Sequence, residues 1–180
     1  MNKLETKVKL FEEFNKIEDK SRLSEKITKL LIEQIKNELE SSQLYRSMSC
    51  WMDKNRLIGG NKLFFKYADE ELEHMRKIYN YLFEKNADSE TTETSKPESN
   101  FKDIRDVLEK SLEHENKVME QWNNIANVSL EEKDNDTYIF SQWFITEQRE
   151  EQEKITDLLF KLDQDMPTWR IDEVFEEMSK

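Results

Sequence analysis

The sequence predicts an all-α fold: a bundle of four long helices with a short fifth helix at the C-terminus. Three observations carry that prediction. Gly and Pro together supply only 4 of 180 residues, too little punctuation for strands and tight turns. Four segments, 24–52, 60–85, 101–128 and 134–162, each about 26 to 29 residues long, repeat apolar residues at helical spacing. Finally, the first and second segments, and the third and fourth, are separated by links short enough to make antiparallel neighbours.

Residues 1–23 form an N-terminal extension with a weak amphipathic pattern at Leu4, Val8, Phe11 and Phe14. The bundle follows over 24–162, with each rod roughly 40 Å long at 1.5 Å per residue. Steps of four and three along the first segment give the seam Ile27, Leu31, Gln34, Glu38, Ser41, Tyr45, Met48, Met52. The second gives Gly60, Phe64, Tyr67, Glu71, His74, Ile78, Tyr81. Residues 86–100, NADSETTETSKPESN, are polar and reach about 50 Å when extended, enough to cross the length of the bundle. Asn100 is placed to cap the third helix. That helix contributes Phe101, Ile104, Leu108, Ser111, Glu115, Val118, Trp122, Ile125, and the fourth Thr137, Ser141, Phe144, Gln148, Glu151, Ile155, Leu158, Leu162. The last unit, 163–180, is a short helix after Pro167 whose apolar residues Trp169, Val174, Phe175 and Met178 call for a docking surface.

Composition removes several functions. The only glycine pair is Gly59-Gly60, so no glycine-rich phosphate loop can be written. A single cysteine, Cys50, excludes a disulfide framework and a cysteine-based metal site, and its place between Met48 and Met52 reads as packing. Two histidines exclude a three-histidine centre. A net charge of −12 argues against nucleic acid or anionic membranes as partners and would attract cations. With no apolar run of membrane-spanning length and an acidic N-terminus, the chain is expected to be cytoplasmic.

Each seam is apolar toward its ends and breaks to a carboxylate or amide in the middle. Glu38, Glu71, Glu115 and Gln148 all lie near their segment midpoints. Midpoints coincide whichever way neighbouring helices run, so the four groups fall at one level of the bundle. Any one of them alone reads as a solvated helix flank. Buried together without Lys or Arg, they would repel one another, and a cation must balance them. With His74 and Glu151 they form an oxygen-rich set with one imidazole, suited to iron or manganese.

The stretches EQIKNELESSQLY, ADEELEHM, LEHENKV and QWFITEQREEQE, one per helix, resemble the non-haem ferritins of the prokaryotic type over residues 24 to 162. The resemblance implies a ferritin-like four-helix bundle with a fifth helix, assembled as a 24-subunit shell that oxidises Fe2+ with O2 or peroxide and stores the Fe3+ as mineral. It implies Glu38, Glu71 and His74 as ligands of a first iron, and a bridging Glu71 with Glu115 and Gln148 for a second. Glu151 would be a carboxylate moving between the two. Glu70, Glu147 and Glu150 resemble a third iron site, although three acids on helix flanks also read as a solvated face. Tyr45 and Trp143 match aromatic residues used as one-electron donors, and read equally well as core aromatics. Leu72 stands where bacterioferritins place a haem-ligating Met, so no haem is expected. His114 points off the seam and is expected on the surface. Two rival readings use the same residues: a non-storage di-iron oxidase or peroxidase of the same superfamily, and a helical module whose mid-seam acids meet a basic partner.

Overall fold

Side-chain caps begin three of the four long helices. A computed structural model describes residues 6–9, 20–164 and 166–180. In it α1 (Glu25–Lys54) starts at Ser24, whose hydroxyl accepts the Ile27 amide at 3.1 Å. α2 (Ile58–Glu84) starts without a side-chain cap. α3 (Ile104–Glu131) is capped by Asp103, which accepts the Asp106 amide at 2.9 Å. α4 (Asn135–Asp163) is capped by Asp134, which accepts the Thr137 amide at 3.0 Å. α5 (Thr168–Met178) follows Pro167, whose restricted φ suits a helix start. Asn100 therefore does not cap the third helix. Asp103 and Asp106 together bracket that start, since Asp106 also accepts the Lys102 amide at 2.9 Å, and this pair of bonds outcompetes an isolated Asn.

Three helix ends close in the same way, with a left-handed residue that is not glycine: Arg56 (φ 65°), Asn86 (φ 50°) and Lys133 (φ 60°). After α1 the Leu57 amide reaches back to the Met52 carbonyl at 3.0 Å and the Arg56 amide to Asp53 at 3.0 Å. The pattern repeats with Ala87 to Leu82 and Asn86 to Phe83, and with Asp134 to Ser129 and Lys133 to Leu130. These are Schellman closures, in which two backbone bonds satisfy carbonyls that the helix leaves orphaned. They are how a chain with so few glycines turns its helices over.

α1 packs along α2 and α3 along α4, the two antiparallel pairs expected from the short links. The long crossover lies against α1, bonded at Thr94 to Gln43 (2.6 Å), at Ser95 to Glu40 (2.8 Å) and at the Glu98 carbonyl to Ser47 (2.5 Å). The core divides into two apolar clusters. One, around Met48, Phe64, Leu108 and Leu158, occupies the end near α5; the other, around Leu31, Ile78, Trp122 and Phe144, occupies the opposite end. Between them lies a layer of buried polar groups, as the seams predict.

α5 folds back onto α2. Ile171 and Phe175 are fully buried, Phe175 meeting Phe64 edge-on at 6.1 Å, while Val174 and Met178 are half-buried beside them. Trp169, expected on the buried face, is exposed: the face that docks runs through Ile171, Phe175 and Met178, and Trp169 lies off it. The apolar face is thus covered by the chain's own bundle. Gly59 and Gly60 make that approach possible. The Gly60 amide donates to Asp172 Oδ1 at 2.9 Å, and a Cβ at Gly59 would sit 1.9 Å from the Asp172 carbonyl oxygen. Cys50 is exposed, off the methionine seam, so it is not the packing residue its neighbours suggested. Of the N-terminal pattern, Leu4, Phe11 and Phe14 lie outside the described residues and Val8 is exposed. Among the described residues no helix is long and apolar enough to cross a membrane.

Because backbone meets backbone at Gly59, Gly59→Ala should destabilise the protein by about 1–3 kcal/mol, the usual cost of overpacking, and loosen α5 first. Limited proteolysis should then cut near residue 165 well before the bundle is attacked. Equal resistance of variant and wild type would show that α5 is held elsewhere.

Candidate metal centre

The polar layer is built by one turn from each long helix. Seam spacing puts Glu38 on α1, Glu71 and His74 on α2, Glu115 on α3 and Gln148 on α4 into the interior. None of the four acids and amides is more than 2% exposed. Two overlapping triads result. Glu38, Glu71 and His74 bring one ligand atom each to within 4.8 Å of one another, and so do Glu71, Glu115 and Glu151. Glu71 belongs to both, the position a bridging ligand must take. His74 Nδ1 lies 3.2 Å from Glu71 Oε2 and 3.9 Å from Glu38 Oε2.

Hydrogen bonds hold Glu38, Glu115 and Gln148 by one atom and leave the other bare. Glu38 Oε1 accepts from Gln34 Nε2 at 2.8 Å and from Trp122 Nε1 at 3.3 Å. Glu115 Oε1 accepts from the Tyr45 hydroxyl. Gln148 spends its Nε2 on Glu151 at 2.7 Å. The remaining atoms, Glu38 Oε2, Glu115 Oε2 and Gln148 Oε1, are buried without a partner. Buried acceptors are almost always satisfied, so three orphans on three helices at one level mark a place for a cation. The donor set, carboxylate oxygens with one amide oxygen and one imidazole, fits iron or another hard-to-borderline divalent metal.

Electrostatics agree. Burial is the first cause that pushes the carboxyls of Glu38, Glu71, Glu115 and Glu151 upward, and a neighbouring acid is the second in each case: Glu71 for Glu38, Glu151 for Glu71, Glu38 for Glu115 and Glu115 for Glu151. Glu115 is raised to about 8. Among the described residues no Lys or Arg makes an ion pair with Glu38, Glu71 or Glu115.

The other expected residues are spread around this core. Trp143 is partly exposed, its ring edge-on to His74 at 5.6 Å and covered by Lys77 Nζ at 3.9 Å. It lines a cavity of about 650 Å³ together with Glu70, Glu147 and Glu151. Glu150 is exposed and is not among the residues lining that cavity. Tyr45 sits in the core beneath the centre. His114 corrects the expectation of a surface residue: its Nε2 lies 2.6 Å from Ser41 Oγ on α1, and burial pushes its pKa down to about 4. Sequence reasoning missed Gln34 and Trp122 as donors to Glu38. Both stand on the seams, and the signal was available in their N–H groups, which an apolar layer could not satisfy.

A four-helix bundle with a paired carboxylate site defines the class, and the comparisons agree. The family model described as "Ferritin-like domain" matches residues 28–164. A bacterial non-heme ferritin of Campylobacter jejuni is 39% identical over 140 residues, covering 78% of this chain and 84% of its own. A probable bacterial non-heme ferritin-like protein of Haemophilus influenzae is 36% identical over the same share of this chain and 85% of its own. Among solved structures, an open pore ferritin from the archaeon Archaeoglobus fulgidus superimposes with a TM-score of 0.82 at 28% identity, covering 86% of this chain and 96% of that one. The chain belongs to the ferritin family.

The raised carboxyls make a pH prediction. An acid whose folded pKa exceeds its unfolded value holds its proton more tightly when folded, so stability falls as pH rises between the two values. For Glu115 that window runs from the ordinary 4.5 to about 8. Surface acids paired with lysine, such as Asp136 and Glu176, are shifted downward and act below it. His114, pushed down to about 4, acts with the opposite sign up to its ordinary 6.5, so above that value, from pH 6.5 to pH 8, the metal-free protein should melt at progressively lower temperature by calorimetry. Glu115→Gln should raise the metal-free melting temperature at pH 8 while weakening metal uptake. A drop in melting temperature with unchanged assembly would show that Glu115 is balanced by protein partners.

Proposed function

We propose that the protein is an iron-storage ferritin with ferroxidase activity, in which Fe2+ is the substrate of the mid-bundle site. The observation that carries this reading is the pair of triads sharing Glu71, each with one unpartnered carboxylate oxygen, Glu38 Oε2 in the first and Glu115 Oε2 in the second. Glu38, Glu71 and His74 would hold the first iron, and Glu71, Glu115 and Gln148 the second. Each Fe2+ gives up one electron, and O2 or peroxide takes the pair. Carboxylates bind Fe3+ more strongly than Fe2+ because a hard anion stabilises the higher charge more, so the site favours oxidation. Protons held by the raised carboxyls leave as iron binds, which couples uptake to pH.

Storage adds Fe3+ release into a closed space. Glu151, bonded to Gln148 and lining the cavity with Glu70 and Glu147, would pass iron onward, and Glu70 and Glu147, with the exposed Glu150, would hold a third iron. A 24-subunit shell would supply the enclosure. Large apolar side chains exposed on the outer faces, including Ile58, Phe65, Ile139 and Phe160, support burial against other copies. Leu72 offers no thioether, and the reading includes no haem. A cytoplasmic location accords with it. The rival oxidase would use the same ligands, with the cavity beside His74 as a substrate pocket.

Stopped-flow absorbance after adding two Fe2+ per subunit in air should show oxidation far faster than the protein-free rate. Glu71→Ala removes the shared ligand and should abolish the fast phase while particle mass is unchanged. Absence of a fast phase in the wild type would refute the ferroxidase. A fast phase in a particle no larger than a dimer would refute storage and favour the oxidase.

A further inference from the structure

We propose that Trp122 is a positioning residue of the metal centre: its indole N–H, with the Gln34 amide, ties down one oxygen of Glu38 so that only the other is offered to metal. The inference rests on the metal reading above and assigns a role within that site.

Trp122 is fully buried on the apolar stretch of α3 that also carries Val118 and Ile125. Packing there would be served by any large apolar ring, yet this one carries a donor and aims it at 3.3 Å from Glu38 Oε1. Gln34 Nε2 reaches the same oxygen at 2.8 Å. Glu38 Oε2 has no partner and lies 3.9 Å from His74 Nδ1. An oxygen accepting two hydrogen bonds has little lone-pair density left for a metal, and a carboxylate held this way cannot rotate to chelate with both oxygens. The indole is itself fixed: it stacks on Phe144 with ring centres 3.8 Å apart and planes 9° from parallel. Phe144 in turn meets the His74 ring at 5.9 Å and 80°. One aromatic stack thus sets the direction of two ligands of the same triad. Glu115 is treated alike, with Tyr45 on one oxygen and the other bare. Both terminal carboxylates are therefore built to bind through a single oxygen, one by a phenol and one by an indole.

The test uses the full-length metal-free protein and Co2+ as a probe, titrated anaerobically and followed by its visible absorption, which reports coordination number. Trp122→Phe keeps the stack and deletes the donor. It should weaken binding of the tighter Co2+ about 10- to 100-fold, the usual loss when a ligand's supporting hydrogen bond is removed, and lower the band intensity as Glu38 becomes free to chelate. In a Glu38→Ala background the same change should have no further effect on affinity. Gln34→Leu, which leaves the aromatic stack untouched, should weaken the same Co2+ with the same spectral change. Wild-type affinity and spectrum in both variants would overturn the proposal, as would an equal loss from Trp122→Phe in the Glu38→Ala background, which marks a merely structural role. A wild-type protein that takes up no Co2+ would overturn the metal reading together with this one; two Co2+ per subunit bound alike by wild type and variants would overturn this one alone.

Discussion

Three carboxylates buried at one level, with the half-buried Glu151 beside them and no Lys or Arg paired to Glu38, Glu71 or Glu115 among the described residues, are the constraint on which this molecule depends. Taking a charged carboxylate out of water costs several kcal/mol even after relaxation. Here burial, and a neighbouring acid in each case, drive the carboxyls of Glu38, Glu71, Glu115 and Glu151 upward, toward the uncharged form. On the proposed reading, that arrangement trades stability in the metal-free state for a site that would hold a cation strongly. Metal binding would then become part of folding energetics, because a ligand of the native state stabilises it by mass action.

The rest of the fold keeps these groups from escaping. Apolar clusters on both sides of the layer lock the four helices in register, so no helix can slide its acid toward solvent without exposing core residues such as Leu31 or Phe64. Three Schellman closures hold the helix ends without glycine hinges. α5, seated on Gly59 and Gly60, seals the end of the first cluster. Within the layer, fixed donors leave one acceptor bare on each of three helices. Stability at the ends permits frustration in the middle.

Much of this was legible in the sequence. The alternation of four and three places Glu38, Glu71, Glu115 and Gln148 inside and Glu151 half-buried beside them, and the coincidence of midpoints puts them at one level without any assumed topology. The short links and the long polar crossover give the connectivity. Less legible were features set by side-chain direction and by close approach. Trp122 reads as apolar in any periodicity, so its donor goes unnoticed until the indole is oriented by Phe144. His114 lies one residue off the seam, yet a flanking position between α1 and α3 is deep enough to reach Ser41. The third helix starts at Asp103 because Asp103 accepts the Asp106 amide while Asp106 accepts the Lys102 amide, a preference that composition does not rank above Asn100. Hydrophobicity alone does not give the phase of an eleven-residue helix, so Trp169 reads with the buried face although it lies exposed.

The central claim is that the mid-bundle layer is a two-metal site organised around Glu71. The most direct measurement is anomalous diffraction at the iron edge from crystals soaked anaerobically with Fe2+. The account predicts two peaks per subunit, one contacting Glu38, Glu71 and His74 and the other contacting Glu71 and Glu115, with Glu38 and Glu115 each bound through the oxygen left bare here. Iron found only in the outer groove, or a single peak that does not touch Glu71, would contradict it.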